Sequence, residues 1–144
     1  MTARTRASWK PMLLLLGAFA LGCGKQETKL VPVEGRVTFG KSSLKTGFVI
    51  FYPDAARGNN SKEEPRGDVD KDGHYKIFTG VKEGAAPGWY KVAVTAADQI
   101  DPNNPYFTHW LIPEKYIDPK TSKLALEVAE SPSLGAYDIH LDAK

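Results

Sequence analysis

From Val31 onward, apolar and polar side chains alternate along the chain with a period of two. That is the repeat of an extended backbone, whose successive side chains point to opposite faces. "VPVEGRVTF" puts Val33, Val37 and Phe39 on one face. "TGFVIFY" alternates Phe48, Ile50 and Tyr52 against Val49 and Phe51, and being apolar on both faces it predicts a central strand. "HYKIF" turns Tyr75 and Ile77 inward and His74 and Lys76 outward. "WYKVAVTA" sets Tyr90, Val92 and Val94 against Lys91, Ala93 and Thr95. "KLALEVA" sets Leu124, Leu126 and Val128 against Lys123 and Glu127, and "YDIHLD" sets Tyr137, Ile139 and Leu141 against Asp138, His140 and Asp142.

A short strand near Gly67 to Asp70 brings the predicted number to seven. No stretch in this region holds a helical period, and Gly and Pro interrupt it too often for one. Short alternating strands with turn signals between them predict an all-β fold, a two-sheet sandwich whose core is one face of each strand. Gly35, inside a strand, predicts a bulge or a close backbone approach. Pro87-Gly88 suits the central positions of a type II turn. Residues 54–67, "DAARGNNSKEEPRG", predict a mobile polar surface loop.

The first residues follow another pattern. Arg4, Arg6 and Lys10 precede the apolar run "MLLLLGAFAL", Met12 to Leu21, and Gly22-Cys23 follows at once. A basic region, an apolar region and a small-residue boundary predict a secretory signal peptide over residues 1–22. The apolar run is half the roughly 20 residues a spanning helix needs. No Arg-Arg pair is present, which favours the general export route. Ala20-Leu21-Gly22-Cys23 resembles the lipobox of bacterial lipoproteins, in which the cysteine takes a diacylglycerol thioether and becomes the first residue after cleavage. Ala20 departs from that pattern, where leucine is commoner. Cys23 is the chain's one cysteine, so no internal disulfide competes for it. Residues 23–30 then form the lipidated cysteine and a short polar tether, and residues 31–144 the sandwich domain.

Cleavage changes the charge. The leader holds three of the 19 basic residues and none of the 17 acidic ones, which leaves 16 against 17, a net charge of −1. That balance gives no electrostatic case for nucleic acid.

"VEGRVTFGKSSLKTGFVIFYP", "GDVDKDGHYKI", "GAAPGWYKVAV" and "IPEKYIDPKTSKLALEV", in that order, resemble the carboxypeptidase regulatory-like, or transthyretin-like (prealbumin-like), β-sandwich of bacterial lipoproteins. The match covers nearly all of residues 31–142. The resemblance implies a seven-stranded Greek-key sandwich and an accessory or interaction role without catalysis. Transthyretin-like enzymes that hydrolyse 5-hydroxyisourate carry a Tyr-Arg-Gly-Ser motif, and this chain holds no such tetrapeptide.

Candidate chemistry is sparse. His74, His109 and His140 are scattered, and no Gly-x-Ser-x-Gly, Cys-x-x-Cys or His-Glu-x-x-His motif occurs. Asp68-x-Asp70-x-Asp72-Gly73 begins as an EF-hand calcium loop begins, but the twelfth position, where a bidentate Glu belongs, is Thr79, and the flanks predict strands. A type I turn over Asp70 to Gly73 explains the same residues, with Asp first and Gly fourth, and is preferred to calcium. Residues 97–122 form an unusually long loop rich in large apolar groups, among them Tyr106, Trp110 and Tyr116. These three predict either a binding surface for a sugar or a protein partner, or a lid closing the sandwich, the preferred alternative. The sequence therefore predicts a membrane-anchored, exported lipoprotein of the cell envelope, on its periplasmic or surface side. It is expected to bind or interact there without catalysis and without a cofactor. A calcium-dependent structural module is the alternative, and an uncharacterised hydrolase a weaker one.

Overall fold

The computed structural model describes residues 28–98, 103 and 108–143. The leader, Cys23 and the first part of the tether lie outside these residues, as do Tyr106 and Phe107.

The alternating segments are strands. β1 (Glu34–Phe39), β2 (Ser42–Ser43), β3 (Phe48–Pro53), β4 (Arg66–Asp68), β5 (His74–Lys76), β6 (Phe78–Thr79), β7 (Lys82–Glu83), β8 (Gly88–Thr95), β9 (Leu124–Val128) and β10 (Ile139–Leu141) build an all-β, two-sheet, sandwich-like architecture. In one sheet β1 pairs with β10 in parallel and with β2 and β5 antiparallel. The other sheet runs β7-β6-β4-β3-β8-β9, and every pairing in it is antiparallel. The inward sets meet in one core: Val33, Val37, Tyr75, Ile139 and Leu141 on one side, Val49, Phe51, Tyr90, Val92, Val94 and Val128 on the other. Removing each such side chain from water contributes about 1.5–3 kcal/mol before the entropy of ordering is subtracted.

Ten strands rather than seven are present among the described residues. β2 and β7 are two-residue returns, too short to show alternation. The segment expected as one strand around Tyr75 and Ile77 is two. β5 serves the first sheet and β6 the second, and the chain crosses between them at the fully buried Ile77. Gly35 and Gly67 permit close approach. A Cβ on Gly35 would collide with the Tyr137 carbonyl, and one on Gly67 with the Lys76 carbonyl beside that crossing.

β3 is central, between β4 and β8, but its second face is partly open: Phe48 is 52% exposed, and Ile50 and Tyr52 are half-buried. Pro87-Gly88 forms a bend and no type II turn. The Ala86 carbonyl, which such a turn would use, accepts from the Tyr90 hydroxyl at 2.8 Å instead, and Gly88 opens β8. Residues 54–65 do not hang free. Asp54 and Asn59 are buried, and the Asn59 amide donates to the Trp89 carbonyl at 3.0 Å while its oxygen accepts from Ser61 N–H at 3.1 Å. Arg57 lies 4.4 Å over the Trp89 ring.

Buried phenols set the alkaline limit of this fold. Burial pushes the Tyr75 hydroxyl far above its ordinary value of 10.0, and burial also raises Tyr90. The unfolded chain loses these protons near the ordinary value while the folded chain keeps them. Stability is therefore intact below about pH 10 and falls as pH rises beyond it. The melting temperature should drop between about pH 10 and pH 11, and less steeply in Tyr75→Phe. An identical slope in that variant would contradict the assignment.

The sandwich has two distinct ends. At one, the chain joins the fold where Val31 pairs with Ala85 and Lys29 meets Glu130 at 3.2 Å. At the other, the Asp70–Gly73 turn and the loop after β8 flank Gly47, whose carbonyl accepts from Val69 N–H at 2.9 Å and whose Cα packs against Thr95.

Candidate functional site

The end remote from Val31 gathers the candidate chemistry. The turn forms there because Asp70 organises it. Gly73 N–H donates to the Asp70 carbonyl at 3.0 Å, and Gly73 takes a φ of +85°. The Asp70 carboxylate accepts from Asp72 N–H at 2.8 Å and His74 N–H at 2.9 Å. These amides, Asp72's foremost, hold the Asp70 carboxyl below its ordinary range. Asp68 is exposed on β4 and Asp72 is exposed on the turn. Thr79 lies in β6 and donates its hydroxyl to the Gly84 carbonyl. Among the described residues no group of three or more His, Cys, Asp or Glu side chains is placed to hold a metal ion. Titration with millimolar calcium is expected to give no saturable heat and no change in melting. A shift of several degrees, abolished by Asp70→Asn with Asp72→Asn, would contradict this.

Beside the turn lies an open recess of about 620 Å³ lined by Arg36, Ser42, Ser43, Lys45, Lys71, Asp72 and His74. The Arg36 guanidinium donates to His74 Nε2 at 2.9 Å. Among the described residues, Arg36, Lys45 and Lys71 form no ion pair with a carboxylate. Three cations thus face the one carboxylate of Asp72, a balance that suits an anionic group. Sequence reasoning missed this recess, because its residues come from β1, the β2 return, the turn and β5, and no local spacing joins them.

A second cleft, about 520 Å³, runs along β1 and β5 and is lined by Glu34, Arg36, His74, Lys76 and Asp138 among others. Its lysine and glutamate charges are paired with one another. Lys76 stands 3.3 Å from Glu34 and 3.7 Å from Glu83, and the hydrogen bond to Glu34 chiefly raises its pKa. The Asp138 carboxylate accepts from Arg36 N–H at 2.9 Å.

The long loop divides its aromatics. Tyr116 is buried at 4% exposure, and its hydroxyl accepts from Asp142 N–H at 2.8 Å. On the binding-surface alternative it would lie exposed beside Trp110. It is instead a core residue, because a short 3-10 turn, Glu114–Tyr116, directs its ring inward and Ile112 is buried beside that segment. Trp110 is half-buried and bridges to Ala97, where Asp98 N–H donates to the His109 carbonyl at 2.9 Å and Leu111 N–H to the Ala96 carbonyl at 2.9 Å. Tyr106 lies outside the described residues. The three histidines stand apart, each with its own partner: His74 with Arg36, His140 with Thr38 at 2.7 Å, and His109 with Asp98 at 3.0 Å in an exposed pair that ties the base of the loop.

No helix among the described residues is long and apolar enough to cross a membrane. Compared with family models, with curated proteins and with solved structures, the chain matches none.

Proposed function

We propose that this chain is exported, lipidated at Cys23 and held at a membrane of the cell envelope, where it serves as a non-catalytic binding or envelope-interaction module on a Greek-key, transthyretin-like sandwich. One observation carries this: the chain's one cysteine follows a basic-then-apolar leader at a small-residue boundary, eight positions before Val31 joins the fold. Two acyl chains hold a protein stably where one does not.

The arrangement of the sandwich supports the division of labour. Val31 is at one end, and the Arg36–Lys45–Lys71 recess and Trp110 are toward the other. An anchor at Cys23 leaves the recess facing water, open to a protein or carbohydrate partner that presents anionic groups. On extraction with a phase-separating detergent the protein is expected in the detergent phase, and Cys23→Ser in the aqueous phase. Unchanged partitioning of that variant would end this reading.

A further inference from the structure

The two most exposed large apolar side chains among the described residues are Val81, at 97%, and Leu134, at 105%. Both sit at the apex of a tight turn, and both turns flank the place where the chain joins the sandwich. In the β6–β7 hairpin Thr79 pairs with Lys82, so Gly80 and Val81 are its two central residues, and Gly80 takes a φ of +61°. In the second turn Ala136 N–H donates to the Ser133 carbonyl at 3.1 Å, so Leu134 and Gly135 are central, and Gly135 takes a φ of +72°. In each turn the glycine takes the left-handed conformation and the apolar neighbour projects outward. The exposure is thus built by the backbone and does not come from a loose loop.

Their position gives them an occupant. Pro32 lies in a cleft of about 610 Å³ that Glu83 of β7 and Pro132 to Tyr137 also line. Ala85, two residues past β7, pairs with Val31, and Glu130, just before the second turn, pairs with Lys29. Residues 24–30, even fully extended, span at most about 25 Å, so an acylated Cys23 keeps this end of the domain close to the bilayer.

We propose that Val81 and Leu134 dock the Val31 end of the sandwich onto the lipid surface, each tip seated at the boundary of headgroups and acyl chains. The proposal rests on anchoring at Cys23 and adds to it an orientation: the domain stands on these two tips. The charged groups nearest the tips carry both signs, with Glu83 beside Lys82 and Glu130 paired to Lys29. The contact is therefore apolar and indifferent to lipid charge.

The thioether at Cys23 consumes the chain's one thiol, so an introduced cysteine takes a thiol-reactive, polarity-sensitive fluorophore alone. Val81→Cys, Leu134→Cys and, as the remote control, Lys71→Cys are labelled in the lipidated protein and reconstituted into phosphatidylcholine vesicles. The labels at 81 and 134 should shift to the blue and be quenched by a spin label placed high on the acyl chain, while the label at 71 should do neither. Vesicles containing phosphatidylglycerol should give the same result. Water-like, unquenched labels at 81 and 134 on vesicle-bound protein would overturn the docking and leave the anchor standing. Parent protein that takes the label at Cys23 and fails to float with vesicles would end the anchor and the docking together.

Discussion

Gly67→Ala is expected to destabilise the domain by about 3 kcal/mol or more, at the top of the range for forcing atoms into a packed interior. The added methyl would enter the Lys76 carbonyl and stand close to the Ile77 amide, both of them backbone. No rotamer change relieves such a clash. The site is also the crossing at which β5 leaves the first sheet and β6 joins the second, so a local shift is felt in both. Gly35→Ala should behave alike, since its methyl would meet the Tyr137 carbonyl that also accepts the Tyr75 hydroxyl. Gly58→Ala is the control, because nothing lies within 4 Å of a Cβ there, although its φ of +86° carries its own smaller strain. Chemical denaturation compares the three. If Gly67→Ala lost no more than Gly58→Ala, the close backbone approach would be wrong.

Tyr116→Ala is expected to cost about 3–5 kcal/mol, as removal of a large buried ring does. The ring belongs to the core, and its hydroxyl is the acceptor for Asp142 N–H, one residue past β10. Tyr116→Phe keeps the ring and loses that acceptor, at a cost of about 1–3 kcal/mol. Trp110→Ala should cost less than Tyr116→Ala, about 1–2 kcal/mol, because the indole is only half-buried. The long loop is therefore two things: its second half is packed into the core at Ile112 and Tyr116, and Trp110 marks where it turns to the surface. Equal losses at Trp110 and Tyr116 would contradict that division.

Which of these features the sequence disclosed follows from the range of the interactions that make them. Alternation revealed the inward sets, Val33 and Val37, Tyr75 and Ile77, Tyr90, Val92 and Val94, because the period of a strand is local. The Asp70–Gly73 turn was legible for the same reason, since its hydrogen bonds span at most four residues. The crossing at Ile77 was not. Tyr75 and Ile77 keep their alternation while the hydrogen-bond partner changes from β1 to β4, and only pairing with distant strands shows it. The basic recess was hidden likewise, its residues drawn together from positions 36 to 74 by sheet pairing. Trp110 and Tyr116 look equivalent in sequence, and what separates them is packing against distant parts of the chain: Tyr116 joins the core and its hydroxyl meets the Asp142 amide.

The anchor at Cys23 is the claim on which function and orientation depend, and the mass of the intact membrane form tests it most directly. A protein that begins at Cys23 and carries a diacylglycerol thioether there is the expected result. A chain with a free Cys23 thiol, or one cleaved at another residue, would contradict it.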